Sequence, residues 1–517
     1  MLRNLCLLAG ILTLWVCNGQ EMPLDYEFGD KYKDRYKYSN LLTFSETVSS
    51  DKILVRGYYS GLLVRPKGYL IERYDSELKL LEEYNYKYKD GDFVHGLVAN
   101  DQIYLLFLEY DSEKQTYQYT VHQSPVGNYN FTVRNLLSLK ADYVDQPIEK
   151  NYYNRSFKSG FSTTVLSDPD SRVFAISILQ SQNKELSHRI LVYNNKLEQI
   201  MDKDFSSESE EKNYAFEELA VSPDLSSVYL VGKAYFRKRR FKAEERKFQY
   251  ELLRLHNGGI KTQVFDDVPG KYSEGVKPLW NGNKLICAGF YADRKDNRYN
   301  GLQYLVLDPE KLTVLKRKYN PFSEQFMIDK FGQESDKVVK NLVFKGAQFT
   351  EDGSLLFNAE EFFMTESMQA NASGGRVRIQ RFHHNDIISA KLDSEGNLIW
   401  ARNINKTEVT QGDGAYTSYS SYSKDGQTYF FLCLATEEPQ LIGKERLIFK
   451  QGYSRSRNVF VIRLDSEGSL SYEKIIDSDE ARLPFMVSMP FVDSDSDKLL
   501  FYAKQGSRKQ LVSIKVR

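Results

Sequence analysis

The sequence predicts an all-β fold, a single β-propeller with eight blades. Two observations carry this prediction: a short polar turn that leads into an apolar strand occurs eight times, and a second type of turn recurs between the copies. The composition supports it, because 14% of the 517 residues are aromatic and Tyr and Phe favour β structure. The eight first turns occupy residues 49–51, 100–101, 168–170, 222–224, 281–283, 351–353, 424–426 and 493–497.

The spacing of these turns predicts a repeat. A period of about 50 to 70 residues is typical of a propeller or another array rather than of unrelated domains. Each copy divides into four strands without a helical interval, and four antiparallel strands form one propeller blade. A seven-bladed ring with one irregular unit is the alternative. The first strands of the eight blades are predicted near residues 41, 93, 157, 215, 275, 343, 415 and 485.

The second type of turn joins the third and fourth strands of a blade. Its first position is Asp or Asn, whose side chain bonds the backbone of the turn, and Gly396 and Gly468 supply a positive φ at the end of two copies. Turn chemistry is therefore a sufficient explanation for these acidic residues, and no metal role is predicted for them. The clearest copies are residues 74–78, 193–197, 307–311, 392–396 and 464–468.

Two segments depart from the repeat. The last blade has only three evident strands, so residues 22–40 are predicted to supply its missing strand and close the ring. The insertion 320–341 between blades 5 and 6 has Phe322 and Phe326 at helical spacing, with Ser323 as a capping residue. We expect a short helix there that plugs the mouth of the channel. The predicted β-propeller domain comprises residues 20–517.

Residues 1–19 have the features of a secretory signal peptide. Arg3 supplies a positive charge, residues 5–16 form an apolar run, and small residues follow at 17–19. The run is too short to span a bilayer, and the bulky residues before Cys17 argue against lipid attachment there. We expect cleavage before Gln20. The mature protein is then predicted to be secreted, periplasmic or on the cell surface.

Charge and cysteine content exclude some classes of protein. The chain has 70 basic and 70 acidic residues, and this balance argues against a nucleic-acid partner. No segment after the signal is apolar enough to be a membrane span, and a monomer is expected. After cleavage only Cys287 and Cys433 remain, each within an apolar strand. We predict that both are buried free thiols.

The distribution of charge in a propeller is informative. The first-to-second and third-to-fourth hairpins share one face, while the second-to-third loops lie on the other. The basic residues concentrate in the second-to-third loops of blades 4 to 7, where a continuous arc would attract an anionic partner, although exposed charge runs commonly serve only solvation. Guanidinium groups pair well with carboxylate, sulfate or phosphate. The candidate ligand-binding residues are Arg237, Arg239, Arg240, Lys242, Arg376, Arg378, Arg381, His383, His384, Arg455 and Arg457.

The sequence favours a recognition or scaffold protein whose partner is an anionic polysaccharide, an envelope component or another protein. It contains no nucleophile elbow, Walker or dinucleotide motif, and we predict no catalytic residue, metal or cofactor. The alternative is a carbohydrate-active enzyme with catalytic groups in the central channel, because propeller enzymes draw such groups from several blades. For that alternative the first candidates are Glu360, Glu361, Asp386 and His383.

Two resemblances agree with this fold. The turns Ser222-Pro223-Asp224 and Glu351-Asp352-Gly353, each before an apolar strand, resemble those of TolB-type and WD40-like periplasmic propellers. The segments 357–363 and 385–401 are similar to a family of uncharacterised secreted propeller-like proteins of Gram-negative bacteria. This second resemblance covers blades 6 and 7. It implies a secreted β-propeller and no known activity.

Overall fold

The computed structural model describes residues 22–59, 66–140, 162–168, 172–182, 185–205, 212–236, 245–293, 298–333, 338–370, 375–412, 414–442, 446–452 and 457–517. Within these ranges the chain folds almost entirely into β-strands, which form eight sheets. The predicted signal peptide lies outside the described residues. In the described ranges, no helix has the length and apolar character needed to cross a membrane.

The first half of the chain forms sheets 1 to 4. Two short strands precede them, β1 (Leu24–Phe28) and β2 (Tyr32–Lys33). Sheet 1 contains β3 (Tyr38–Glu46), β4 (Lys52–Tyr59), β5 (Gly68–Tyr74) and β6 (Leu80–Tyr86). Sheet 2 contains β7 (Asp92–Ala99), β8 (Gln102–Asp111), β9 (Thr116–Pro125) and β10 (Thr132–Lys140). Sheet 3 contains β11 (Ser162–Ser167), β12 (Val173–Gln182), β13 (Glu185–Asn194) and β14 (Gln199–Asp204). Sheet 4 contains β15 (Lys212–Val221), β16 (Ser227–Phe236), β17 (Phe248–His256) and β18 (Gly259–Val264).

The second half forms sheets 5 to 8. Sheet 5 contains β19 (Tyr272–Asn281), β20 (Lys284–Ala292), β21 (Gly301–Leu307) and β22 (Val314–Pro321), and helix α1 (Glu324–Phe331) follows it. Sheet 6 contains β23 (Leu342–Phe349), β24 (Leu355–Ala370), β25 (Arg376–Leu392) and β26 (Leu398–Thr410). Sheet 7 begins with β27 (Ser420–Lys424) and β28 (Gln427–Leu434); the hairpin β29 (Gln440–Ile442) and β30 (Arg446–Lys450) precedes its last strands, β31 (Asn458–Leu464) and β32 (Leu470–Ile476). The short helix α2 (Ser478–Ala481) leads to sheet 8, with β33 (Phe491–Asp493), β34 (Lys498–Gln505) and β35 (Arg508–Val516).

In sheets 1 to 7 the strands of each blade follow chain order, and in sheet 8 β33, β34 and β35 do so, so the first strand of each blade lies at one edge. First strands of neighbouring sheets contact one another, as β3 contacts β7 and β15 contacts β19. The first strands therefore form the line of contact between neighbouring sheets, and we call them the inner strands. One sheet is extended: β30 pairs in parallel with β26, so the hairpin from sheet 7 adds two strands to the outer edge of sheet 6.

Eight hydrophobic clusters hold the sheets together, each between two neighbouring sheets. The cluster between sheets 8 and 1 packs Leu54 and Tyr74 against Leu500 and Tyr502. Burying one such large apolar side chain contributes about 1.5–3 kcal/mol, so these interfaces are the main source of stability. This order of eight sheets is consistent with a β-propeller.

The N-terminal strand completes the last sheet. β1 pairs antiparallel with β35, from Leu24 opposite Val516 to Phe28 opposite Val512. The first and last parts of the chain thus share one sheet. The prediction that residues 22–40 supply the missing strand is confirmed.

The predicted turns between third and fourth strands have the expected hydrogen bonds. In the turn of sheet 6, Asp393 Oδ1 accepts from the backbone N–H groups of Glu395, at 2.9 Å, and Asn397, at 2.7 Å. Gly396 occupies the left-handed position of this turn, with φ of 80°. In sheets 1, 3 and 5 a leucine adopts that conformation instead, with φ near 60°: Leu78, Leu197 and Leu312.

Helix α1 lies in the predicted insertion. Ser323 precedes it and its Oγ accepts from the backbone N–H of Phe326 at 3.2 Å, so the predicted cap is confirmed. The prediction that the helix plugs the channel mouth is wrong. The helix packs on β26, the fourth strand of sheet 6, where Asp329 receives a hydrogen bond from Arg402 at 2.5 Å.

The two cysteines in the described ranges, Cys287 and Cys433, are buried and free, as predicted. Cys287 lies in β20 and Cys433 in β28. Burial raises the pKa of the Cys433 thiol to about 12, so it stays protonated at neutral pH. These thiols serve packing in the cores between sheets.

Candidate functional site

The described ends of the second-to-third connections of sheets 4 to 7 lie at the same end of four successive sheets, because these connections are topologically equivalent. We call this the loop face. Residues 237–247 of sheet 4 contain seven Lys or Arg and two Glu. Residues 435–457 of sheet 7 contain five Lys or Arg and three Glu. These are basic segments that the sequence singles out. Five of the predicted ligand-binding residues lie outside the described residues: Arg237, Arg239, Arg240, Lys242 and Arg455.

The connection of sheet 6 is a long two-stranded arm. β24 and β25 remain paired up to Ala370 opposite Arg376, whereas the pairing of β25 with β26 stops at Phe382. We define the arm as residues 364–370 and 376–381. Its exposed side chains include Met364 and Met368, and Met368 is 60% exposed. The arm thus presents apolar groups beside its arginines.

The predicted basic residues of the arm have different surroundings. Arg376 is exposed, Arg378 forms an ion pair with Glu366, and Arg381 donates to Ser367 Oγ at 2.8 Å. In sheet 7, Arg457 donates to the carbonyl of Cys433 at 3.2 Å. Arg376 and Arg378 are therefore the described arginines best placed to meet a ligand.

A buried carboxylate lies at the base of the arm. Glu360 Oε2 accepts from Ser418 Oγ at 2.8 Å and lies 3.1 Å from His384 Nδ1. The same oxygen lies 3.4 Å from Lys345 Nζ, and Oε1 accepts from Lys406 at 3.1 Å. Burial raises the pKa of Glu360, but the Lys406 charge and the His384 hydrogen bond outweigh it and lower the pKa to about 2. Glu360 is therefore ionised at any ordinary pH.

Glu360 determines the orientation of His384. Because Nδ1 faces a carboxylate, it carries the proton of the neutral ring and leaves Nε2 as the acceptor. The side chain is 11% exposed, and none of the residues in the described ranges bonds Nε2. Gly414 has no side chain beside it; a Cβ there would lie 3.7 Å from Nε2. This is the geometry of a histidine oriented for proton transfer.

Lys406 holds the residues of this site together through its ammonium group. Its Nζ donates to Glu408 Oε2 and to the backbone carbonyl of His384, both at 2.8 Å. Glu408 Oε2 also accepts from the backbone N–H of Ser418 at 2.8 Å. Burial raises the pKa of Glu408, against the opposing charge of Lys406. The network joins strands β24, β25 and β26 to the segment before β27 and fixes the position of the histidine.

The other predicted acid–base candidates do not join this site. Glu361 and Asp386 both bind Lys330 of helix α1, at 2.8 and 2.6 Å. His383 points to the other side of its strand, where it stacks on Phe363 with ring centroids 4.4 Å apart. Glu361 and Asp386 therefore hold the helix, and His383 packs against the arm.

Sequence reasoning missed Lys345, and a structural repeat explains its position. Five inner strands have a β-bulge at the same place, and each bulge adds one residue to the strand. In sheets 1 and 2 the added residues are apolar, and in sheets 4 to 6 they are charged. A charged residue near the start of a first strand is the sequence signal that could have found them. The added residues are Leu42, Val94, Glu217, Glu274 and Lys345.

Two cavities lie away from His384. One of about 740 Å³ lies between β3 and β7, with Phe44, Phe93 and His95 in its wall. The other, of about 290 Å³, lies beside α1 and includes Asp329 and Arg402, which bind each other. Among the described residues, no three His, Cys, Asp or Glu side chains are grouped to hold a metal ion.

Comparisons with known proteins show only distant similarity. No family model matches the chain, and no curated protein matches it at a significant level. Among solved structures it is similar to a prolyl endopeptidase at 10% identity, with a TM-score of 0.35 over 83% of this chain and 46% of that chain. It is also similar to an acylaminoacyl peptidase of Pyrococcus horikoshii, at 10% identity, with a TM-score of 0.35 over 91% and 59% of the two chains.

A third similar structure is the polysaccharide lyase Uly1, at 10% identity, with a TM-score of 0.36 over 95% of this chain and 92% of that chain. The chain spans about half the length of the two peptidases it matches. Identities and TM-scores this low support no conclusion about activity. The site is therefore interpreted from its own residues.

Proposed function

We propose that the chain is an eight-bladed propeller, exported from the cytoplasm, that binds an anionic glycan on its loop face. The observation that carries this proposal is the concentration of basic residues in the second-to-third connections of neighbouring sheets. Like charges within one region raise the local concentration of an oppositely charged polymer. Screening over about 10 Å at 0.1 M salt makes such binding sensitive to salt.

The arm supports a glycan as the ligand. Arg376 and Arg378 provide guanidinium groups for carboxylate or sulfate, while Met364 and Met368 provide apolar contact area beside them. A charged sugar chain has both features, since its rings expose C–H groups between the anionic substituents. The arm is therefore the part of the loop face that we expect to contact the ligand first.

The experiment is a binding measurement with the double variant Arg376→Glu/Arg378→Glu. We expect roughly tenfold weaker binding to sulfated or uronate polymers at low salt, with the difference decreasing at high salt. The matched control is Lys79→Glu/Lys311→Glu, which makes the same change of charge in exposed turns of the opposite face. Equal affinity of the arm variant and the wild type would contradict the proposal.

A second candidate function is a carbohydrate-active enzyme. The specific observation that favours it is the His384 ring, whose Nδ1 is fixed by Glu360 while Nε2 bonds none of the described residues. A pure binding protein has no need of a histidine in this arrangement. Detection of any shortened glycan product after incubation, lost in His384→Ala, would favour the enzyme.

A further inference from the structure

We propose that His384 is the acid–base residue of a β-elimination that cleaves a uronate-containing glycan, with Glu360 and Lys345 as its positioning and charge-neutralising partners. This inference rests on the proposed binding of an anionic glycan to the loop face. It goes beyond that proposal by naming the substrate class, the reaction and the reacting atom.

Hydrolysis by two carboxyl groups does not fit the residues around His384. That mechanism requires one carboxylic acid that keeps its proton and a second carboxylate across the scissile bond. Glu360 has its pKa lowered to about 2 and its oxygens occupied by protein donors, so it cannot serve as the acid. Glu361 and Asp386 are both paired with Lys330.

Nucleophilic catalysis by serine does not fit either. The hydroxyl of Ser418 donates to Glu360 and not to His384, so the histidine does not activate it. The Ser418 hydroxyl and Nδ1 of His384 both bind Oε2 of Glu360. What remains is a histidine whose Nε2 bonds none of the described residues and whose side chain is 11% exposed.

Uronates offer a proton that such a base can remove. The carbon next to the uronate carboxylate becomes acidic when the charge of that carboxylate is neutralised. Lys345 is suited to this task, because its side chain is 33% exposed and its Nζ lies 3.4 Å from the same Glu360 oxygen that holds His384. The Lys345 ammonium and the His384 imidazole therefore both lie next to the Glu360 carboxylate.

The proposed reaction balances without a co-reactant. His384 Nε2 takes the proton from the carbon next to the carboxylate, and the electrons of that C–H bond form a carbon–carbon double bond. The bond between the neighbouring carbon and the glycosidic oxygen breaks, and its electron pair stays on the oxygen. The imidazolium then donates the proton to this oxygen. The products are an unsaturated uronate and a departing sugar with a free hydroxyl group.

The test uses the mature protein with polygalacturonate, alginate and chondroitin sulfate as substrates. The unsaturated uronate is followed by its ultraviolet absorbance, and new reducing ends are counted in parallel. We expect at least one polymer to yield both signals and His384→Ala to lower the rate by about 100-fold or more, since acid–base catalysis contributes at least that factor. The matched control is His256→Ala, which removes an imidazole at the third-to-fourth turn of sheet 4, away from this site, and should retain the rate within a few-fold.

Lys345 gives a second measurement, at the partly exposed edge of the Glu360 network. Lys345→Met removes a partly exposed ammonium, and we expect a lower rate with thermal unfolding close to that of the wild type. Glu360→Gln should lower kcat and leave KM nearly unchanged, because the ring loses the carboxylate that orients it. A merely structural role of Glu360 would change the amount of folded protein and leave the kcat of the folded protein in place.

The outcomes separate this inference from the proposed function. Binding of the polymers without any product would overturn the eliminase and leave the binding proposal standing. Reducing ends without ultraviolet absorbance would also overturn it, since they indicate hydrolysis. Failure of both binding and cleavage would contradict both proposals. The arm variant Arg376→Glu/Arg378→Glu should raise KM and leave kcat nearly unchanged if binding and chemistry are separate.

Discussion

The Nζ of Lys406 lies 3.1 Å from Oε1 of Glu360, and neither side chain is exposed to solvent. Taking both charges out of water is costly, and only their mutual attraction and further hydrogen bonds compensate. Glu408 is the other acid on the ammonium and is also buried. The three residues join β24 and β26, which flank the strand of His384, so their integrity decides whether His384 keeps its orientation.

Replacing the lysine should therefore be strongly destabilising. We expect Lys406→Met to lower the free energy of unfolding by about 3–5 kcal/mol, because it leaves buried carboxylates without their counter-charge. Urea unfolding followed by circular dichroism measures the free energy of unfolding. The control is Lys424→Met, which removes a partly exposed partner of Asp497 and should cost about 0–1 kcal/mol. Similar losses in the two variants would contradict the interpretation.

A second buried network ties the N-terminal segment to the first and last sheets. Arg56 of sheet 1 donates to Asp34 Oδ2 at 2.8 Å and to Glu72 Oε1 at 3.1 Å. Lys509 of sheet 8 donates to the same oxygen of Glu72 at 2.7 Å. Asp34 lies between the strand that completes sheet 8 and the first strand of sheet 1. This network adds polar contacts to the strand pairing of β1 with β35.

Arg56→Met should loosen the N-terminal segment. We expect faster backbone hydrogen exchange in peptides covering residues 22–40, measured by mass spectrometry, and little change in sheets 3 to 6. The control is Arg73→Met, because Arg73 pairs with Asp51 in a partly exposed position of the same sheet. If the N-terminal peptides exchange equally in wild type and Arg56→Met, the strand pairing alone holds the segment.

The low pKa of Glu360 predicts an acid-sensitive site. A carboxyl group whose folded pKa lies below its ordinary value of 4.5 stabilises the fold fully above pH 4.5, and the contribution is lost as pH falls towards about 2. The difference between these two pKa values corresponds to about 3 kcal/mol in the free energy of unfolding. Melting curves between pH 6 and 3 should therefore fall more steeply for the wild type than for Glu360→Gln. Parallel curves would mean that other carboxylates account for the acid sensitivity.

Local chemistry explains which features the sequence could predict. The turn at Asp393 and the cap at Ser323 depend on neighbours within a few residues, so their hydrogen bonds follow from the order of the side chains. The pairing of β1 with β35 followed from the repeat, because an incomplete last blade requires a strand from elsewhere. These features needed no knowledge of the strand register.

The site depends on contacts that no local pattern encodes. His384, Lys406 and Ser418 meet Glu360 from distant positions in the chain, and a bulge in β23 brings Lys345 to the same carboxylate. A register shift by one residue would place these side chains on opposite faces. The sequence could therefore name Glu360 and His384 as candidates without showing that they bind each other.

Close packing at a turn provides the last prediction. Gly468 ends the third-to-fourth turn of sheet 7 with φ of 81°, and a Cβ there would lie 2.8 Å from the Trp400 ring of sheet 6. Gly396 approaches Tyr304 of sheet 5 in the same way, so the contact repeats between neighbouring sheets. Gly282 has a similar φ of 57° and open space around it, which makes it a matched control.

Both substitutions to Ala incur the left-handed backbone cost of about 1–2 kcal/mol, and only Gly468→Ala adds the steric cost of about 1–3 kcal/mol against Trp400. Gly468→Ala should therefore lower the melting temperature more than Gly282→Ala, measured by calorimetry on the same preparation. Equal shifts would show that the turn can move away from the indole. In that case the glycine would be required by its backbone conformation alone.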